Sequence, residues 1–401
     1  MDIDNNQENL SENNNPDFVN TELEHDLQEH SQQVYYEHSH VDQSQHGSEQ
    51  YMPEQYAPEQ FNSEPPVKPK LASFRSVCAK LGFAMSVYFA FRVLFGFFMR
   101  FFNTFAFFVN MNESLYSFFV NAFAILFIYI FPLLITMLIF NSFKVYKGKY
   151  RELYQKPKRL ARALGAFPAS FGLGHGTALL TALVFFLISQ NIDAHSTVQE
   201  LFRPTAVEQP TNLVSIIMLV FMLVVVAPIL EEYWYRGIFF DALRPYGVGI
   251  TIIITSILFG LAHGSLFMLF YTTAYGFALG YIRYATRSLY TVTVLHTMVN
   301  AIAAGTIILT TLADINLGDG RLVNTFMYIY LVIFLALIVI GVIVFLSKIP
   351  SMRKYKIENA WPEKGGWKKT AWFFASIPVI LMMILAANEL SGFLLMGLLI
   401  G

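Results

Sequence analysis

Three short stretches of this 401-residue chain carry groups that can move protons or bind a metal while sitting in apolar surroundings. They are Glu231-Glu232-Tyr-Trp-Tyr-Arg236, Phe259-Gly-Leu-Ala-His263 and His296-Thr-Met-Val-Asn300. An ionisable group in such a run is costly and marks a pathway or a reaction centre. Residues four apart share one face of a helix. Glu232 can therefore pair with Arg236, Phe259 can pack beside the His263 imidazole, and His296 and Asn300 project toward one point. Glu231 falls about 100° round the helix from Glu232. It has no local counter-charge, which suits a general acid or base.

A carboxylate with imidazoles activates water, directly or on a metal such as zinc. Glu231 and His263 can hold or deprotonate the water, and His296 and Asn300 can donate to the oxyanion of a tetrahedral peptide intermediate. No activated Ser or Cys nucleophile stands out. The single cysteine, Cys78, excludes a disulfide framework and a thiolate metal cluster. The His-Glu-x-x-His spacing that makes zinc the default is missing, so Glu231, His263 and His296 are candidate ligands only. His175, in Phe171-Gly-Leu-Gly-His175-Gly, is a further candidate, although close helix packing explains that glycine-rich stretch better.

The elements that must position these groups are hydrophobic helices. The chain is 55% hydrophobic and 14% charged, whereas a soluble domain carries about 25% charged residues. Apolar runs near 80–101, 117–141, 169–189, 212–243, 247–265, 268–286, 289–310, 325–347 and 370–392 predict an all-α, polytopic transmembrane bundle of eight or nine spans. At about 1.5 Å per residue, Glu231, His263, His296 and Asn300 stand roughly 20, 25, 14 and 20 Å above the inner ends of their helices. Tilts of about 20° let all four share one level.

Charge sets the orientation. Every second loop is basic, notably 141–168 and 347–369, which places the N-terminus in the cytoplasm and, after nine spans, the C-terminus outside. Arg92 and Arg100 interrupt the first span, and snorkelling to the interface is the expectation for both. Residues 1–70 hold fifteen Asp/Glu against two Lys/Arg and show no apolar periodicity, so they read as a disordered acidic cytoplasmic tail before a membrane domain at 71–401. The tail's acidic, polar start argues against a signal peptide. Its five irregularly spaced histidines read as solvated linker. The basic residues lie between apolar runs, which gives nucleic-acid binding no support.

The three motifs, in this order on hydrophobic helices, resemble those of the CPBP intramembrane protease family, which includes the CAAX prenyl proteases and bacteriocin-immunity proteins. The resemblance covers about 212–305, and Gly280 and Arg287-Ser-Leu289 fit it too. It implies an intramembrane endopeptidase in which Glu231 and His263 activate water, His296 and Asn300 stabilise the oxyanion, and Glu232 and Arg236 support the site. Zinc and a metal-free glutamate mechanism both stay open. The implied partners are the lipid bilayer and a membrane-associated peptide or protein, with peptide maturation or bacteriocin self-immunity as biological settings. Two other classes stand beside it. Glu and His at mid-depth also make a proton relay, as in a proton- or cation-coupled transporter, against which no clear inverted repeat is found. A non-catalytic immunity or scaffold protein is the third.

Overall fold

The computed structural model describes residues 73–141, 160–189, 212–314, 320–354 and 366–390. The acidic tail with its histidines and most of the basic loops that set the orientation lie outside the described residues. Within them all regular structure is helical, as the apolar runs predict. The main helices are α1 Phe74–Phe102, α2 Glu113–Ile139, α3 Phe167–Ser189, α4 Leu213–Tyr246, α5 Val248–Leu261, α6 Leu266–Thr286, α7 Leu289–Asp314, α8 Gly320–Lys354 and α9 Ile377–Leu390. Each coincides with one of the nine apolar runs.

Length separates them. Among the described residues α1, α2, α3, α4, α7 and α8 are long and apolar enough to cross a bilayer, and the chain is a multi-pass membrane protein. Helix α5 has 14 residues, about 21 Å at the helical rise, less than the roughly 30 Å hydrocarbon thickness. Helix α6 is long, but its tyrosines, glycines and Arg283 dilute its apolar character. Both are largely buried in the bundle, so their composition answers to protein neighbours more than to lipid. Of the eight or nine expected spans, six meet that standard by length and composition among the described residues, and α5, α6 and α9 are apolar helices that fall short of it.

Two prolines shape the helices around the site. Proline has no N–H, and its ring pushes on the carbonyl four residues back. In α2 a wide π turn, Ile125–Ile130, precedes Pro132, and the Phe131 N–H reaches back five residues to the Leu126 carbonyl. In α4 the π turn Met222–Val226 precedes Pro228, and the Ala227 N–H reaches back five residues to the Met222 carbonyl. A third, Tyr233–Phe239, follows the two glutamates. Such wide turns shift side-chain direction and collect at functional sites.

The core lies where α4, α5, α6 and α7 meet α1. Trp234, Tyr235, Phe239, Ile254, Leu258, Phe259, Tyr275, Val292 and Leu295 form it with Leu81, Met85 and Phe89. On the other flank α3 packs on α8 and α6. There Gly172 and Gly341 let two backbones touch: a Cβ on Gly172 would stand 2.0 Å from the Gly341 carbonyl carbon. His175 stacks on Phe171 at 4.0 Å and meets Tyr271 and Phe334 edge-on, with Nδ1 3.1 Å from the Phe171 carbonyl. It is a packing residue, as the glycine-rich segment suggests.

Candidate active site

The adjacent glutamates of α4 occupy different environments. The Glu232 side chain is fully buried, and its Oε1 accepts from Arg236 Nη1 at 3.0 Å and from His296 Nδ1 at 2.9 Å. Arg236 is equally buried, donates through Nη2 to the Gly276 carbonyl at 3.2 Å, and lies over the Phe259 ring at 4.3 Å. Glu231 keeps 16% of its side-chain surface accessible, and its Oε2 stands 3.9 Å from His296 Nε2. Its other oxygen, Oε1, accepts from the Tyr129 hydroxyl of α2 at 3.2 Å. A carboxylate that touches two neutral or switchable groups and remains accessible can exchange a proton with a bound molecule. One locked against an arginine at zero exposure cannot.

His263 lies in the turn that follows α5, two residues past Leu261. Gly264 follows it with φ 65°, a left-handed conformation open to glycine, so the chain turns away directly after the imidazole. Its Nδ1 is 2.7 Å from the Phe259 carbonyl. A carbonyl only accepts, so Nδ1 carries the hydrogen and Nε2 of the neutral ring carries the lone pair. The Phe259 ring sits between the two histidines, 4.8 Å from His263 and 5.6 Å from His296. The imidazoles are therefore no farther apart than those two distances laid end to end. The same logic applies to His296: Nδ1–H donates to Glu232, and Nε2 offers a lone pair when neutral and a hydrogen when protonated.

Asn300 lies one turn beyond His296, and its placement follows from the π turn in α4. In a regular helix the Leu223 carbonyl would accept from the Ala227 N–H. That N–H goes to Met222 instead, and the next residue, Pro228, has none. Asn300 Nδ2 donates to the stranded Leu223 carbonyl at 2.8 Å. Its side chain thereby ties α7 to α4, with one amide hydrogen left for another acceptor.

Residues 213–302 match the family model described as Type II CAAX prenyl endopeptidase Rce1-like. Over this stretch the match is consistent with a CPBP-type intramembrane protease. No curated protein and no solved structure matches the chain. The matched stretch begins with α4 and ends two residues after Asn300, so it holds all three motifs.

Three side chains at the site lie outside that domain and were missed by motif spacing. Tyr129 contacts Glu231 as described. Arg92 of α1 does not snorkel: it is half-buried, and its Nη1 donates to the Tyr88 hydroxyl at 2.9 Å and to the Ala262 carbonyl at 2.8 Å. Tyr88 donates to the same carbonyl at 2.9 Å. The residue preceding His263 is thus gripped twice from α1. Arg92 in mid-span was the available signal, since a cation with no interface in reach needs polar neighbours. Arg100, at the end of α1, is exposed, in keeping with snorkelling.

The donor set bears on zinc. Among the described residues no three His, Cys, Asp or Glu side chains stand close enough together to hold an ion. Glu231 and His296 approach each other, but both Nδ1 atoms and one Glu231 oxygen are engaged with protein groups. The residues as arranged do not fit a three-ligand zinc site.

Proposed function

We propose that the protein is an intramembrane endopeptidase that hydrolyses a peptide bond of a membrane-associated protein or peptide with water activated by Glu231. The observation that carries this reading is the asymmetry of the glutamate pair: Glu232 is closed off by Arg236 and His296, while Glu231 is accessible and faces a histidine. The CPBP domain match at 213–302 supports the same class of reaction. Glu231 takes a proton from water as the oxygen attacks the peptide carbonyl, then gives that proton to the leaving amine. The Nε2 lone pair of His263 accepts the water's second hydrogen bond. With a hydrogen on Nε2, His296 donates to the oxyanion, and the remaining Asn300 amide hydrogen is a second donor. Glu232, Arg236 and Phe259 hold His296 and the α4–α6 contact in place. No step runs through a metal, because the donors do not converge on one.

The lipid bilayer is the working environment, with the N-terminus in the cytoplasm and the C-terminus outside by the loop charges. In the sequence the acidic tail at 1–70 precedes the proposed hydrolytic domain at 71–401. Peptide maturation or bacteriocin self-immunity fits an accessible carboxylate within a membrane bundle. The test is comparative peptidomics of membranes expressing the wild type or Glu231→Gln. Peptides produced only by the wild type are expected; identical peptide sets would contradict the reading.

A further inference from the structure

The carboxylate assigned as base has two oxygens, and different helices hold them. Oε2 faces His296 of α7, whereas Oε1 receives the Tyr129 hydroxyl of α2. A carboxylate only accepts, so Tyr129 is the donor. Tyr129 lies within the π turn Ile125–Ile130, three residues before Pro132, and the widened turn sets which side of α2 it faces. Phe127 of that turn and Phe131 directly after it pack against Phe91 of α1, with ring centroids 6.1 and 5.9 Å away, which fixes the turn against its neighbour. Tyr129 is also near enough to Tyr88 and Arg92 to interact with both electrostatically.

We propose that Tyr129 is a positioning residue for the Glu231 carboxylate: its hydroxyl holds Oε1 so that Oε2 is the oxygen presented to His296 and to the attacking water. This rests on the peptidase reading and adds a part of the machinery from outside residues 213–302. A carboxylate with one tether rotates about its last bond; one with two has a defined face for proton transfer. The groups around Glu231 include Tyr129 from α2, Glu232, Tyr235 and Arg236 from α4, and His296 from α7. Of these, Tyr129 alone binds Oε1 directly and has no tie to Glu232.

The test uses the full chain in proteoliposomes and an internally quenched reporter peptide. The reporter is built from a site that the wild type cleaves in a proteome-derived peptide library and Glu231→Gln does not. Tyr129→Phe keeps the ring and removes the hydroxyl. The expected result is a kcat lower by 10- to 100-fold, a KM within about twofold and an unchanged melting temperature. Tyr116→Phe, at a half-buried tyrosine on the same helix whose hydroxyl donates to Asn103, serves as control and retains wild-type turnover. Glu231→Asp withdraws the carboxylate from the tyrosine, so adding Tyr129→Phe to it should cost less than threefold further. This coupling separates positioning from packing. It also serves if Tyr129→Phe alone is unstable. A Tyr129→Phe enzyme with wild-type kcat, or a loss matching only its folded fraction, or fully additive effects in the pair, would overturn the proposal while leaving the peptidase reading standing. A wild type that cleaves nothing in the library, or a Glu231→Gln variant that cleaves normally, would remove both.

Discussion

Arg236 is the residue whose loss should matter most to folding. It is fully buried, bonded to Glu232 and to the Gly276 carbonyl, and stacked on Phe259. Breaking a buried ion pair by removing one partner leaves an uncompensated charge and typically costs about 3–5 kcal/mol. Arg236→Leu should therefore lower the unfolding free energy in detergent by about that amount, read as a shift in the denaturant midpoint, whereas Glu231→Gln should leave it within about 1 kcal/mol. The pairing of Glu232 with Arg236 was legible because it is an i, i+4 relation on one helix. The contact of Tyr129 with Glu231 was not: it joins residues 102 apart in the chain, and nothing in a single sequence reports such a pairing. Arg92 was visible but misjudged. A mid-span cation has two outlets, the interface or a carbonyl made available by a neighbouring helix end, and only the fold supplies the Ala262 carbonyl.

At the scale of helices, Pro132 of α2 and Pro228 of α4 do parallel work. Each follows a π turn, and each turn delivers one contact to the site: Tyr129 to Glu231, and the Leu223 carbonyl to Asn300. Pro132→Ala allows a regular ladder, and removing the extra residue of the turn rotates what precedes it by about 100°. Turnover of the reporter peptide should fall at least tenfold while stability stays equal or rises, since proline in a helix interior is unfavourable by about 3 kcal/mol. Normal turnover in Pro132→Ala would mean that the π turn does not serve the site. On the opposite flank, Gly172→Val should break the α3–α8 contact, because its Cβ has no room beside Gly341. A loss of more than about 3 kcal/mol in stability is expected for a clash with backbone that cannot shift. The existence of these helices was readable from apolar runs, since any run that long must bury or meet lipid. Their lengths were less so: α5 is short because its neighbours bury it, and hydropathy does not distinguish protein from lipid as the apolar partner.

Taken whole, the molecule places the matched stretch 213–302 against two helices that precede it. The hydrolytic motifs belong to α4, α5 and α7, and their supports come from α1 and α2: Arg92 and Tyr88 on the carbonyl before His263, Tyr129 on Glu231. The matched stretch 213–302 therefore holds the three motifs without all of the contacts that fix them. The account's central claim is that Glu231 is the base, and the most direct measurement is the single-turnover cleavage rate of purified wild type and Glu231→Gln at matched melting temperature. A general base contributes about 10²–10⁴-fold, so a rate lower by about 10³-fold is predicted for the glutamine variant. Cleavage by Glu231→Gln within a factor of about three of the wild type would contradict it.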